Sequence, residues 1–309
     1  MVLIIKVLLT KLLVIITREK WINQASRKVK ERGMKAGLIV DNQSLDYGDY
    51  LKRTAMHSVM CKHESVSEIV QVVRNADNKL GFWQFVQEQF QRLKARNRLN
   101  RLEAFCERHF ASATGGKVDV LLPSNKHEFC NGLKVLCGMN EYDWQKYVEI
   151  PKGKAGVVFT YFLNRKSDDV REFINRIATV TDDEIIEFHS SDTSQKKHFN
   201  RGLDDFVKEL AGADIVITDS AAVVATAMVF NVPFVIDNRF VSECDELNTL
   251  IEDLSLNNRC YGDVTEVNQA LEYDFTNVSG VISNWREMSF RTIENIVAGK
   301  ETLHESTGV

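Results

Sequence analysis

The chain has 309 residues, of which 44% are hydrophobic and 27% are charged, the balance of a protein that folds around an apolar core. A formal net charge of −4 gives no electrostatic reason to expect nucleic acid as a partner. The six cysteines form no Cys-x-x-Cys pair and have no histidine at a ligand spacing. A metal site and a disulfide framework are therefore not expected, and reduced thiols favour a cytoplasmic protein.

Residues 1–33 differ in composition from the rest of the chain. The apolar stretch from Met1 to Ile16 is interrupted by Lys6 and Lys11 and is followed by basic residues. It is shorter than the roughly 20 residues that a membrane-spanning helix needs. Two interpretations stay open. The segment is either an interfacial helix on an anionic membrane surface, at the inner face of the membrane, or an extension without a role in the fold.

A first domain is predicted at residues 34–150. It opens with a strand at Met34–Val40, then a loop that includes Gly48, then a helix whose apolar positions run from 50 to 59. Loops after parallel strands lie at the edge of the sheet where ligands bind, and glycine lets backbone approach a ligand closely. Tyr47 and Gly48 are therefore candidate binding residues.

The remainder of the first domain is less regular. Apolar spacing predicts a helix at 64–78, a long helical pattern covers 80–110, and a strand is predicted at 118–122. The basic run from Arg92 to Arg101 is either a solvated helix face or a site for an anionic lipid or polysaccharide. The segment Lys152–Lys154 is predicted to link the two domains.

The second domain, residues 151–309, alternates strands with helices. Strands are predicted at 156–163, 184–188, 215–217 and 234–236, and helices at 168–178, 203–210, 221–231, 243–254, 266–273 and 281–296. Gly212 stands where glycine often follows the end of a helix. This alternation predicts an α/β fold with a parallel sheet covered on both faces.

The turn after the third of these strands is a candidate anion site. Asp219 and Ser220 are residue types that cap helices, and an alanine-rich helix starts at Ala221. The free backbone N–H groups at Ser220 and Ala221 and the positive end of the helix dipole favour an anion. Asp219 is a weak candidate for a catalytic base, because a capping carboxylate is expected to have a low pKa.

Two arginines follow neighbouring strands of the same predicted sheet. Arg165 and Arg239 lie just beyond strand ends, so both can reach the crevice at this edge and grip an anion through paired N–H groups. The alternative is that both are ordinary solvated arginines of surface loops.

Five motifs, taken in order, resemble those of the polysaccharide pyruvyl transferases. They are DYGDYLKRTAM (Asp46–Met56), YFL (Tyr161–Leu163), DDFVKELAGADIVITDS (Asp204–Ser220), NVPFVI (Asn231–Ile236) and LSLNNR (Leu254–Arg259). The resemblance implies two Rossmann-like domains in a glycosyltransferase-B-like fold, here with a shortened first domain. It also implies transfer of a pyruvyl group from phosphoenolpyruvate to a sugar or lipid-linked oligosaccharide in exopolysaccharide biosynthesis. Phosphoenolpyruvate is then the donor substrate, no cofactor is required, and polysaccharide-assembly enzymes are the implied partners.

The chain departs from the family pattern at the anion site. Where the family typically reads D-S-F-H-G-T, Ala222 takes the place of the histidine and Val223 that of the glycine. Alanine can neither transfer a proton nor contact a phosphate, so the catalytic residue is unassigned. The hypotheses are an active pyruvyl transferase, a catalytically inactive relative that binds a sugar or a partner, and a sugar-nucleotide glycosyltransferase on the same architecture.

Overall fold

The computed structural model describes residues 34–40, 46–64, 66–73, 96, 98–110, 120–122, 132–164, 166–189, 201–239 and 246–297. The predictions for residues 1–33 lie outside this part of the chain. Within it, no helix combines the length and the apolar composition needed to cross a bilayer.

The first half builds a small parallel sheet with helices. Its described elements are β1 (Met34–Val40), α1 (Tyr47–Cys61), β2 (Val66–Val73), α2 (residues 98–109), β3 (Val120–Leu122), α3 (Gly132–Cys137) and α4 (Glu141–Trp144). The strands lie in the order β2-β1-β3. The predicted first strand is confirmed, and the strand predicted at 118–122 is confirmed for its described residues.

The helix predicted at 64–78 is wrong for residues 66–73, because these residues form strand β2. Five of these eight residues are valine or isoleucine, whose branched side chains favour strands. The strand pairs with β1 in parallel, for example Ala36 with Ile69, and Ile69 is buried. Pairing with a neighbouring strand therefore outweighs a spacing that also fits a helix.

The second half builds a four-stranded parallel sheet, β5-β4-β6-β7, with helices between its strands. Its elements are β4 (Val157–Phe162), α5 (Asp168–Thr181), β5 (Glu184–His189), α6 (Leu203–Gly212), β6 (Ile215–Thr218), α7 (Ala221–Val229), β7 (Phe234–Ile236), α8 (Glu246–Leu254), a 3₁₀ turn (Asn257–Arg259), α9 (Val267–Leu271) and α10 (Thr276–Val297). The predicted α/β class with a parallel sheet is confirmed, and the arrangement is compatible with a Rossmann-like fold.

Gly212 was predicted to follow the end of its helix, but it is the last residue of α6. Its φ is not positive, so the left-handed conformation typical of a glycine after a helix is absent here. A close approach explains the glycine, because a Cβ at this position would lie 3.1 Å from Cγ of Pro151.

Helix α7 is buried on every side and lies between the two halves. Its residues Ala221 to Met228 are all buried. It packs on β6 and β7 of its own sheet and on α1 and α3 of the first half. One cluster of buried apolar residues therefore runs from Leu38 of the first sheet to Phe234 of the second. The division at 150/151 and the glycosyltransferase-B-like arrangement stay predictions.

Candidate functional site

The predicted anion site at the start of α7 is a buried turn. Ser220, Ala221 and Ala222 are only 3%, 6% and 4% exposed. The Ser220 side chain makes no capping hydrogen bond, and its backbone N–H donates to Oγ1 of Thr218 at 3.1 Å. The helix therefore starts at Ala221 as predicted, but the Ser220 N–H expected to be free is already used by Thr218, and little of this turn is accessible to a ligand.

Asp219 does not cap α7, so that prediction is wrong. Its carboxylate accepts hydrogen bonds from the backbone N–H groups of Leu163, at 2.6 Å, and Asn164, at 2.8 Å, and from Nδ2 of Asn164 at 3.0 Å. Asp219 thus holds the loop that leaves β4. Burial raises the pKa of Asp219 although these three hydrogen bonds lower it, so the expected low pKa is wrong as well.

The start of α1 packs on the start of α7. Gly48 was predicted in the loop before α1, but it lies in the first turn of that helix. Asp46 is the N-cap, and its side chain accepts from the Gly48 N–H at 2.8 Å. A Cβ at Gly48 would lie 3.2 Å from Cβ of Ala222. Two short residues therefore allow this contact, and a histidine side chain at position 222 would compete with α1 for space.

A carboxyl–phenol pair joins the two halves beside this contact. Tyr161 of β4 is fully buried, and its Oη donates to Oδ1 of Asp46 at 2.6 Å. Burial, followed by the nearby charge of Asp49, raises the pKa of Asp46 above its ordinary value. A carboxyl group with a raised pKa that is held by a buried phenol is a candidate reactive group. Sequence reasoning missed it, although Asp46 directly precedes the predicted Tyr47–Gly48 pair.

Lys52 lies one turn farther along α1 and is also buried. Its Nζ is 2.9 Å from Oε2 of Glu246 and 3.6 Å from Oδ1 of Asp49. Burial lowers the pKa of Lys52, but the two carboxylates outweigh it, so the net shift is upward. Lys52 is therefore a charged ammonium group whose charge two acids already balance.

Tyr47 belongs to the core instead of presenting its hydroxyl to an open crevice. It is fully buried, its ring stacks on Phe206 at 4.2 Å between centroids, and the Arg98 guanidinium lies 4.1 Å from its ring centroid. Its Oη donates to the backbone carbonyl of Arg201 at 2.7 Å. Burial raises the pKa of Tyr47 to about 12, so the hydroxyl stays protonated.

Arg239 is held at the start of α5. Its Nε lies 2.9 Å from Oδ1 of Asp237, its Nη2 donates to Oγ of Ser167 at 2.6 Å, and its Nη1 is 3.8 Å from Asp169. Its guanidinium also lies 4.5 Å from the ring centroid of Tyr261. Carboxylates thus already balance the charge that was predicted to grip a ligand. Arg165 lies outside the described residues.

The structure brings Gly48 together with Ala222, and Asp46 with Tyr161. Among the residues that the structure describes, no group of three or more histidine, cysteine, aspartate or glutamate side chains is placed to hold a metal ion. No protein-family model matches the chain, and no curated protein matches it at a significant level. The resemblance to the pyruvyl transferases therefore rests on the motifs of the sequence.

Proposed function

We propose that the chain is a relative of the polysaccharide pyruvyl transferases that does not transfer a pyruvyl group and instead binds a sugar or a partner enzyme in polysaccharide assembly. One observation carries this proposal. The residue at the family's histidine position is Ala222, which is 4% exposed and packs beside Gly48 of the other half. Neither a proton-transferring side chain nor room for one is present at that position.

The charges around this contact also support the proposal. Phosphoenolpyruvate carries a phosphate and a carboxylate, and binding both needs cations or N–H donors that are free to reach them. Lys52 is paired with Glu246 and Asp49, and Arg239 is paired with Asp237. The carboxylates that pair with these cations would repel the phosphate and carboxylate groups of phosphoenolpyruvate.

An active pyruvyl transferase is the second candidate, because Asp46 has the properties of a proton donor. The reaction needs an acid that protonates the enol carbon of the donor. The raised pKa of Asp46 and its hydrogen bond from Tyr161 suit that role. On this reading, Asp46 replaces the missing histidine from the opposite side of the contact.

Phosphate release distinguishes the two candidates. The full chain is incubated with phosphoenolpyruvate and a panel of lipid-linked sugars, and free phosphate and the ketal product are measured. The proposal predicts no acceptor-dependent release above a reaction without protein, and it predicts that Asp46→Asn leaves polysaccharide output in the host unchanged. Acceptor-dependent release that Asp46→Asn abolishes would replace the proposal with the second candidate.

A further inference from the structure

A surface cavity of about 600 Å³ lies where the turn Asn257–Arg259, the end of α9 and the start of α10 meet. Its volume falls within the range of about 300–1,000 Å³ that is typical of small-molecule sites. Arg259 beneath it bonds to the carbonyl of Phe234, at the start of β7. The cavity therefore lies toward the opposite end of this strand from Arg239 and is a separate place in the fold.

The floor of the cavity is the buried guanidinium of Arg259, which is 3% exposed. Nε and Nη2 donate to the Phe234 carbonyl at 2.8 and 2.5 Å, and Nη2 also donates to that of Ala270 at 2.7 Å. Nη1 donates to the carbonyls of Gln269 and Glu272 at 2.8 and 3.0 Å. These contacts use all five N–H groups of the side chain. The floor is therefore rigid and has no donor left for an anion.

The rim carries hydrogen-bonding groups that have no partner among the described residues. Asn258, Glu272 and Asn277 line the cavity and are exposed, and within the described ranges their side chains make no hydrogen bond to another residue. Tyr273, half-buried, adds an aromatic wall that Phe234 supports edge-on at 5.1 Å between centroids. Two amides, a carboxylate and a ring thus surround one space with both donors and acceptors.

The charges around the cavity select the class of ligand. A phosphate or carboxylate would find no free N–H on Arg259 and would face Glu272 and Asp274. A metal ion would face the positive charge of Arg259. A neutral ligand rich in hydroxyl groups suits the rim, because carboxylate and amide oxygens accept from hydroxyls and amide N–H groups donate to them.

We propose that this cavity binds a neutral sugar, as one or two rings of a polysaccharide or its precursor. The cavity itself favours a neutral ligand with many hydroxyl groups, and the choice of a sugar among such ligands rests on the proposed function. It assigns the hydrogen bonds to Asn258, Glu272 and Asn277, and it assigns to Tyr273 the contact with the apolar face of a ring.

Ligand-observed NMR on the full chain tests the site, with glucose, galactose, mannose, N-acetylglucosamine, lactose and cellobiose as probes. At least one of these sugars is expected to bind saturably. Asn277→Ala and Glu272→Ala are each expected to weaken that binding about threefold to tenfold, the loss of one hydrogen bond. Asn268→Ala is the matched control, because Asn268 is exposed on α9 outside the cavity, and its affinity is expected to equal that of the unchanged chain.

Two results would overturn the assignment. One is that none of the six sugars binds saturably. The other is that a sugar binds and the two cavity variants, with unchanged melting temperatures, bind it as tightly as the Asn268 control. The proposed function is judged separately by phosphate release. An active transferase with a sugar in this cavity would refute the proposed function and support the cavity.

Discussion

The hydroxyl of Tyr161 has its acceptor, Asp46, on the other half of the chain, and the bonds that this carboxyl group accepts predict how two variants differ in stability. Asp46→Asn keeps an oxygen that can accept from both Tyr161 and Gly48. Asp46→Ala leaves both the buried hydroxyl and the Gly48 N–H without this acceptor, which is expected to lower the free energy of unfolding by about 1–3 kcal/mol more than Asp46→Asn does. Urea unfolding of both variants at neutral pH measures the difference.

The raised pKa of Asp46 gives the same pair a pH signature. The folded chain binds this proton more tightly than the unfolded chain, so the contribution of Asp46 to stability is full below its ordinary pKa of 3.8. It is lost as pH rises through the folded pKa. Asp46→Asn is therefore expected to reduce the change of stability with pH between 3.8 and the folded pKa of Asp46.

For the comparison of the two variants at neutral pH, equal stabilities of Asp46→Asn and Asp46→Ala would show that the Tyr161 hydroxyl does not depend on this acceptor.

The contribution of His57 to stability changes with pH in the opposite direction to that of Asp46. Burial, followed by the charge of His109, lowers the pKa of His57 to about 4, and its Nδ1 lies 3.0 Å from Oη of Tyr147. The unfolded chain binds the proton more tightly, so stability is present above the ordinary pKa of 6.5 and is lost as pH falls toward about 4. The loss amounts to roughly 3 kcal/mol by the standard conversion of a pKa shift.

An NMR titration of the histidine rings checks this prediction directly. His57 is expected to stay neutral well below pH 6.5, and His57→Gln is expected to lose less stability on acidification than the unchanged chain. Titration of His57 near its ordinary value would contradict the buried environment described here.

At the scale of elements, Arg259 ties the turn after α8 to β7 and to the end of α9. Lysine at this position has a positive charge but only three donors on one atom, so it cannot reach all four carbonyls. Arg259→Lys is expected to lower the free energy of unfolding by roughly 3 kcal/mol, because buried carbonyls lose their donors.

Arg176→Lys is the control for this prediction. Arg176 is exposed and makes one hydrogen bond, to the carbonyl of Thr265, so its replacement is expected to cost less than about 1 kcal/mol. Chemical unfolding of the two variants gives the comparison. Equal effects would mean that the carbonyls around Arg259 find other donors.

The sequence predicts elements where one spacing dominates. In the second half, short apolar runs mark buried strands and amphipathic spacing marks helices, so the predicted elements match the observed ones within a few residues. Val66, Ile69, Val70 and Val73 fit a helical spacing and a strand composition equally well. The partner strand β1 decides between them, and spacing along the chain carries no information about a partner.

The candidate site was predictable only in part for a related reason. The turn at Asp219–Ala221 follows from strand and helix signals on either side of it. The contact of Gly48 with Ala222, and that of Asp46 with Tyr161, joins residues more than 100 positions apart in the sequence. Burial of the turn and the pairing of Arg239 with Asp237 depend on those tertiary contacts and on the loop after β7.

At the scale of the molecule, the two sheets share one core through α7, and Asp143 adds a polar connection. Its buried carboxylate lies 2.5 Å from Nζ of Lys62 at the end of α1 and 3.4 Å from Nη2 of Arg286 on α10. The halves are therefore expected to unfold in one transition. Circular dichroism and tryptophan fluorescence should give coincident denaturation curves. Two separated transitions would instead show that residues 34–150 and 151–309 are independent domains.

The packing of α1 on the start of α7 is proposed to leave no site for phosphoenolpyruvate there. Calorimetric titration of phosphoenolpyruvate into the full chain tests it most directly. No saturable binding is expected, because Ala222 lies against Gly48 and the charge of Lys52 is balanced by Glu246 and Asp49. Saturable binding that Lys52→Gln weakens would show the opposite, since it would place an anion at this contact.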